Sequence, residues 1–581
     1  MSKRYSNIWL SATVFLFAWV TIFPLTCTAV GPEDYDAIVK HGKELSDQSH
    51  YEAAIVEYNQ AIGLQPKEPL NYAERGNCYS VIGAAEKAFA DFTKAISLDP
   101  NCVSVYVFRG KLYNALGFEE KTSDDCKRAI EIGMKPPQTT LDFLEWGLVN
   151  RCLHNDQESR VDYNRALQSI GSPKEAFEFR RRSACQYFLG NLKDAVADAN
   201  QAVKLEPNNA VYIFIRAGNY LQSGHLKVAL TDFDQGLRSF PKNVFGVWGR
   251  GATYAQLNEN DKALVDLNEA IKLCPEFPRA IESRAKVYDK LKLYKEAIRD
   301  WTQAVKFNPN NPSNYEARGL TYLSAGEKGL SKQDFDRAIK LDPTRVSALL
   351  NRAYYFESQK EYLKAIDDSN SVIQLQSNNH SAYVHRGYEY DCLRQWQKAI
   401  DDLNKALALV PNCTHSLLNR AWAYGELGAY DKAISDLTKA IKIDPTDAPV
   451  YYSRGRDYQD LKNYPMAISD YSAAIKLNPK YAYAYCSRGS AYCLSGQYRK
   501  AIIDCTKAIS LDPNRTHSFF TRGVAFAKIG QPLKGLNDLS TAIKQNPKYA
   551  EAYRERSLVY KELGKYQLAK KDVTKAQFLN H

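Results

Sequence analysis

The stretch Ala448–Tyr481 reads APVYYSRGRDYQDLKNYPMAISDYSAAIKLNPKY, and its pattern decides the fold. Tyr451, Gly455 and Tyr458 stand at i, i+4 and i+7, which places them on one face of a first helix. Ala467, Tyr471 and Ala474 repeat that spacing on a second helix. Lys462-Asn463 lies between them as a turn, and Pro479 cannot continue the second helix. Two short helices joined by a tight turn predict an antiparallel helical hairpin.

The same stretch recurs along nearly all of the chain. Arg454 belongs to a series, Arg182, Arg216, Arg250, Arg284, Arg318, Arg352, Arg386, Arg420, Arg454, Arg488, Arg522 and Arg556, whose members are 34 residues apart. Sixteen residues after each comes an aspartate, from Asp198 to Asp572, and Arg75 with Asp91 and Arg109 with Asp125 extend the series upstream. Sixteen copies of the unit fit between Tyr35 and His581. One such unit cannot bury its apolar face alone, so the period predicts an all-α solenoid of about sixteen stacked hairpins. Function is then a property of the surface those hairpins present.

Small residues mark where the hairpins close. The eighth place is Gly, Ala or Ser in every copy, as at Gly76, Gly251, Ala353 and Gly489. The twentieth is never larger than Thr, and the twenty-seventh is Ala or Gly except at Val372. Glycine inside a helix costs roughly 1 kcal/mol against alanine, so its recurrence at one place implies close packing there. The recurring Arg and Asp occupy the seventh and twenty-third places, equidistant from the turn near the fifteenth. In an antiparallel hairpin they lie at one level, which predicts an ion pair within a copy or to its neighbour. A single exposed pair is worth roughly 0–1 kcal/mol, whereas a row of them can fix register.

This pattern resembles the tetratricopeptide repeat family. The resemblance rests on the aromatic fourth residue (Tyr72, Tyr383, Tyr485), the small eighth and the Tyr at the eleventh (Tyr79, Tyr254, Tyr492). The small twentieth and twenty-seventh residues and the closing proline (Pro100, Pro343, Pro513) complete it. The resemblance implies a right-handed α-solenoid whose concave groove binds peptides or partner proteins. Some relatives hold acidic C-termini through paired asparagines. Here Asn77 lacks its partner because Phe108 precedes Arg109, and Asn351 and Asn419 lack theirs because Leu320 and Tyr388 stand in the first position.

Two copies depart from the pattern. The first, residues 35–68, has His41 and Glu57 where the others have Arg and Asp, as suits a terminal repeat. In the fourth, Pro136-Pro137 interrupts the period, Trp146 replaces the arginine, and extra residues precede Pro173. The expected organisation is therefore an N-terminal segment 1–29, repeats 1–3 over 35–136, a divergent repeat or hinge over 137–175, and repeats 5–16 over 176–581.

The N-terminal segment has the layout of a signal peptide. Lys3 and Arg4 precede the apolar run Ile8–Phe23, Pro24 breaks it, and Cys27-Thr28-Ala29 offers small residues for cleavage. The alternative is a retained signal anchor, although the run is short for a membrane span of roughly 20 residues. Either predicts export by a secretory route (secreted, periplasmic or lumenal) or a membrane-anchored solenoid outside the cytosol. The twelve cysteines show no CxxC and no recurring spacing, and most sit at helix-packing places, so they read as small buried hydrophobes.

The formal charge is +11, with basic residues spread through every copy and matched by acids. Nucleic acid is therefore not the expected partner, and an RNA-binding helical repeat is kept only as an alternative. No phosphate-binding loop, HExxH, GxSxG or dinucleotide fingerprint occurs, and the nine histidines are scattered. We expect no enzyme activity, no cofactor and no metal site. The expected partner is a protein or peptide, with membrane contact only through an uncleaved N-terminus. A second alternative is a non-catalytic subunit beside a separate enzyme chain.

The binding surface is predicted on the first helix of each hairpin, at the second, fifth, ninth and twelfth places, which lie off the packed stripe. The ninth place carries Tyr354, Tyr388 and Trp422 in successive copies, and Arg456 continues the row. Leu350, Leu418, Tyr452, Tyr483 and Phe520 stand nearby at second or fifth places, and Glu357 and Asp391 at the twelfth add negative charge. Aromatics off the packing stripe in consecutive copies form an exposed apolar strip unless the next copy covers them. The ligand implied is an extended peptide with apolar side chains and some basic character.

Overall fold

The computed structural model describes residues 32–579, which form thirty-two helices and no strand. The N-terminal segment 1–29 lies outside the described residues. Copy 13 folds as Ala448–Asp460 and Tyr464–Leu477, the hairpin its spacing predicts. The turn is made by one left-handed residue at the fifteenth place. Gly428 and Gly496 adopt it freely, at φ 72° and 76°, while Lys462 holds φ 59° against its own Cβ. The eighth-place glycines are required by contact. A Cβ on Gly455 would lie 2.9 Å from the Tyr471 ring, and one on Gly76 would lie 2.7 Å from Phe92.

All fourteen Arg–Asp pairs form within their own copies. In copy 13, Arg454 Nε donates to Asp470 Oδ2 at 2.8 Å and Nη2 donates to Oδ1 at 2.8 Å. The two-pronged geometry recurs from Arg75 with Asp91 to Arg556 with Asp572. The aspartates are buried and the arginines mostly so, and such charge-assisted forks are the strong kind of hydrogen bond. The arginine also reaches its neighbour. Arg250 Nη1 donates to Asp234 of the preceding copy at 2.8 Å, Arg352 to Asp336 at 2.7 Å, and Arg454 to Thr438 at 3.1 Å. The fourth-place tyrosines add a second tie. Tyr106 OH donates to the Pro100 carbonyl at 3.0 Å, and Tyr383 OH to that of Ser377 at 3.1 Å.

The irregular copies are irregular in structure too. His41 Nδ1 meets Glu57 Oε1 at 3.1 Å in the place of the Arg–Asp pair. Copy 4 keeps both helices, Thr140–Cys152 and Asp156–Ile170, the first closed by a capping box of Thr139 and Asp142. Its Trp146 Nε1 donates to the Lys135 carbonyl at 2.7 Å, so the ring ties the helix back to the loop before it.

The chain divides into two compact units after Asn310. In the first unit, repeats 1–3 fold back on repeats 5–8. The turn of copy 1 meets the junction of copies 5 and 6, where Tyr212 OH donates to the Gln48 carbonyl at 3.1 Å and Arg181 Nη2 to that of Asp47 at 3.1 Å. The turn of copy 2 meets the next junction, where Val244 N donates to the Gly83 carbonyl at 3.3 Å. The turn of copy 3 reaches furthest. Asn308 Nδ2 donates to the Gly117 carbonyl at 2.8 Å, and Asn308 Oδ1 accepts from Glu119 N at 3.1 Å. Phe118, fully buried, meets Phe307 edge-on at 5.5 Å. One hydrophobic core therefore joins Phe92, Leu112 and Phe118 to Val247, Phe277 and Ala280. The tight backbone approach explains Gly83 and Gly117: a Cβ on either would lie within 2.6 Å of the Asn243 or Arg279 side chain.

In the second unit the clusters are small, and each joins a copy to the next. Leu437 and Ala440 of copy 12 pack with Val450 of copy 13, and Tyr471 of copy 13 packs with Ala491 of copy 14. The eleven cysteines among the described residues are all free, and Cys78, Cys126, Cys185, Cys274, Cys486 and Cys505 are buried, as helix-packing places require. No helix of the described residues is long and apolar enough to cross a membrane.

Candidate protein-binding face

Helical spacing puts the ninth-place side chains on the face of the first helix opposite its packed stripe, and in the second unit they stand open. Leu320, Tyr354, Tyr388 and Trp422, in four consecutive copies, are 39%, 54%, 42% and 46% exposed. Tyr354 and Tyr388 border a cavity of about 480 Å³, lined also by Glu357, His380, Val384, His385, Cys413 and His415. His385 Nδ1 meets Glu357 Oε1 at 2.8 Å, which fixes that carboxylate at the cavity wall. Burial, and then His415, hold His380 below the usual imidazole range.

The ninth-place row ends in a cation. The Arg456 guanidinium lies 4.2 Å over the Trp422 ring. Its Nη1 is 4.0 Å from Glu426 Oε1 and its Nη2 is 3.9 Å from Asp457 Oδ1. These are ion-pair distances without hydrogen bonds, and Arg456 Nε and Asp457 Oδ1 have no hydrogen-bond partner. Farther along, Tyr483 is exposed but carries Arg515 at 3.4 Å over its ring, with Arg515 Nη2 donating to Asp512 at 2.9 Å.

The other predicted positions are half-buried and serve packing between copies. Leu350 packs against Leu349, Val372 and Ala382, and Leu418 against Leu417, Leu437 and Val450. Tyr452 meets Tyr471 and Tyr481 at 5.7 and 5.3 Å, and Phe520 meets Tyr549 at 4.9 Å. The structure thus brings together Tyr354, Tyr388, Trp422, Glu357 and Arg456 as the open strip, and uses most second and fifth places to stack the repeats.

Two buried carboxylates with an unpartnered oxygen escaped the sequence reading. Glu389 and Asp457 occupy tenth places, where neighbouring copies have small residues such as Ala423 and Ala491. A charged residue at a place otherwise small and buried is the signal that could have found them. Burial first, and then Glu357, push Glu389 up to about 9. Ser369 Oγ donates to its Oε1 at 3.4 Å, and its Oε2 has no partner. Asp391, predicted at the twelfth place, is only 7% exposed, and its Oδ1 is also unpartnered. Burial, then Glu426, raise it to about 7. Asp457 rises to about 7 by burial, with Arg456 opposing. Among the described residues no group of His, Cys, Asp or Glu has the arrangement to hold a metal ion.

Tetratricopeptide repeat models match residues 71–102, 316–379, 416–447 and 482–515, and a TPR repeat model matches 455–496. No curated protein sequence matches the chain. Among solved structures, a tetratricopeptide repeat protein from Parabacteroides merdae ATCC 43184 is 20% identical over 41% of this chain and 93% of its own, with a TM-score of 0.35. The APC/C Cut9–Hcn1 hetero-tetramer structure is 17% identical over 86% of this chain and 97% of that one, at 0.43. YrrB, described as a TPR protein with an unusual peptide-binding site, is 20% identical over 32% and 95%, at 0.28. Sixteen hairpins with one recurring set of packing residues and these family matches lead to one assignment: the chain is built of tetratricopeptide repeats, which support a role as a protein–protein interaction scaffold.

Proposed function

We propose that this chain is an exported or membrane-tethered scaffold that holds an extended segment of a partner protein along the open face of repeats 9–12. The observation that carries the reading is the run of four exposed apolar side chains, Leu320, Tyr354, Tyr388 and Trp422, one per copy. Side chains that repeat at the spacing of the hairpins suit a partner in extended conformation, which offers its own side chains at regular intervals. Aromatic anchors give large contact area at small entropic cost and dominate most interfaces. The carboxylates of Glu357 and Glu426 beside the rings favour a segment with some basic character. Export rests on Lys3, Arg4, the apolar run Ile8–Phe23 and the small residues Cys27–Ala29.

The partner is found by mass spectrometry of what remains bound after purification from the native compartment. Tyr388→Ala and Trp422→Ala then weaken its binding by about 1–4 kcal/mol each, with helicity unchanged because both rings are half exposed. Loss of folding in both variants, with binding per folded molecule unchanged, overturns the assignment. N-terminal sequencing of the native protein checks the export reading: a mature chain beginning near Val30 marks cleavage, and an intact Met1 or Ser2 in a membrane fraction marks an anchor. An intact N-terminus in the soluble cytosolic fraction removes both.

A further inference from the structure

The chain supplies its own picture of how a cation sits on this face. Arg456 spreads over the Trp422 ring at 4.2 Å and ends between Glu426 and Asp457, at 4.0 and 3.9 Å. Arg515 does the same over Tyr483, ending at Asp512. One copy before Trp422 an exposed ring and carboxylates again stand together, at other places of the unit and without the cation. Tyr388 presents an exposed ring, and Asp391 lies three residues on, on the same side of the helix. The ninth place of the following copy, which supplies Arg456 to Trp422, is here Trp422 itself. Asp391 is more than nine-tenths buried, its Oδ1 has no hydrogen-bond partner, and the charged group that acts on it is another carboxylate, Glu426.

A buried carboxylate oxygen without a donor is costly, and a second carboxylate nearby raises the cost. A lysine or arginine laid along the Tyr388 ring removes both penalties. Its stem covers the aromatic face, and its charged head reaches Asp391 and Glu426. We propose that Tyr388, Asp391 and Glu426 form a seat for one cationic side chain of the bound segment, filled by the partner as Arg456 fills the next. The seat rests on the reading of this face as the binding face, and it adds the residue class read at copy 11. The chain's net charge of +11 repels cationic ligands at long range, so a preference for them has to come from a local seat.

The test uses the full mature chain and fluorescein-labelled peptides of one length, in which leucine alternates with lysine, glutamine or glutamate. Binding is read by anisotropy at low and physiological salt, at a pH about one unit above the Asp391 midpoint. The lysine peptide binds about tenfold more tightly than the glutamine peptide, and Asp391→Asn removes most of that preference while leaving the glutamine peptide within about twofold. Tyr388→Ala weakens both peptides. If Asp391→Asn leaves the lysine preference intact, or the glutamine peptide binds as well as the lysine peptide, the seat is overturned while a weakening by Tyr388→Ala keeps the binding face. If no peptide binds, or Tyr388→Ala changes nothing, the binding face fails and the seat fails with it. Asp391→Asn is close to isosteric and spares a buried charge, so a folding defect does not mask the result.

Discussion

The two units are built from the same hairpin and treat its free face in opposite ways. In the first, the turns of repeats 1–3 cover the first helices of repeats 6–8, and Val211, Phe214, Phe245 and Trp248 at second and fifth places join apolar clusters with them. In the second, the corresponding face is open, and its ninth places carry Leu320, Tyr354, Tyr388 and Trp422. In the first unit the ninth places hold Lys43, Asn77, Lys111, Leu148, Ala184, Gly218, Ala252 and Lys286 instead, with Leu148 the one large apolar residue among them. The repeat scaffold therefore fixes where a surface lies, and a few variable places decide whether the chain itself or another molecule occupies it. The first unit has long-range closure, with hydrogen bonds spanning 189 and 191 residues in sequence, and the second has nearest-neighbour stacking. Closure makes unfolding of the first unit collective, whereas stacking lets the second open copy by copy.

The sharpest way to break this contrast is Phe118→Ala. Its ring is fully buried between the third turn and Phe307, so truncation costs about 3–5 kcal/mol. Hydrogen exchange by mass spectrometry should show faster exchange across repeats 1–8 together, with residues 311–579 unchanged. Arg454→Met comes next. It leaves Asp470 buried without its partner, at about 3 kcal/mol, and the faster exchange should stay within copies 12–14, as nearest-neighbour stacking requires. Spread of that effect along the whole second unit would erase the distinction between the units. Asn308→Ala removes the two hydrogen bonds to the third turn and costs about 1–3 kcal/mol, read as a lower urea midpoint of the first unit only.

The smallest effect depends on pH. Glu389 is held protonated in the fold by burial, then by Glu357 and Asp368, with Ser369 and Arg386 opposing. Below about pH 4.5 it is protonated folded or unfolded and costs nothing. As pH rises from there towards 9, the unfolded chain releases the proton and the folded chain keeps it, so the second unit loses stability. Glu389→Gln should flatten that decline and exceed the parent by roughly 1 kcal/mol or more near pH 8, measured by urea titration at several pH values.

The hairpins and their turns were legible because short-range geometry enforces each sixteen times, and the Arg–Asp pairs because it enforces them fourteen times. Lys462 marks the turn, Pro479 the end of a copy, and the small eighth place the helix contact. The fold-back was not legible. A period shows which neighbours stack, and contacts between copy 3 and copy 8 leave no trace in it. One residue carried a clue: Phe118 is aromatic and buried at the sixteenth place, where Glu259, Gln395 and Gln497 stand exposed or half-exposed in other copies. The candidate face was half legible. Its ninth-place row follows from helical spacing alone, whereas the burial of Leu350 and Leu418 depends on how far each copy rotates on the next, which spacing does not contain.

The arginine at the seventh place has a consequence for how such a chain changes length. Two of its donors stay within its own copy, and the third donates to almost any oxygen that the preceding copy offers: Asp234, Asn268, Thr438 or Ser472. A connector this tolerant is generic. Any copy can follow any other without a matched pair of surfaces having to arise together. Duplication or deletion of a whole unit by unequal recombination therefore leaves every remaining joint intact within repeats 9–16. Within repeats 1–8 the same event shifts the partners of Gly83, Gly117 and Phe118 by a full copy and breaks the closure. Copy number should accordingly drift among relatives in the second unit and stay constant in the first.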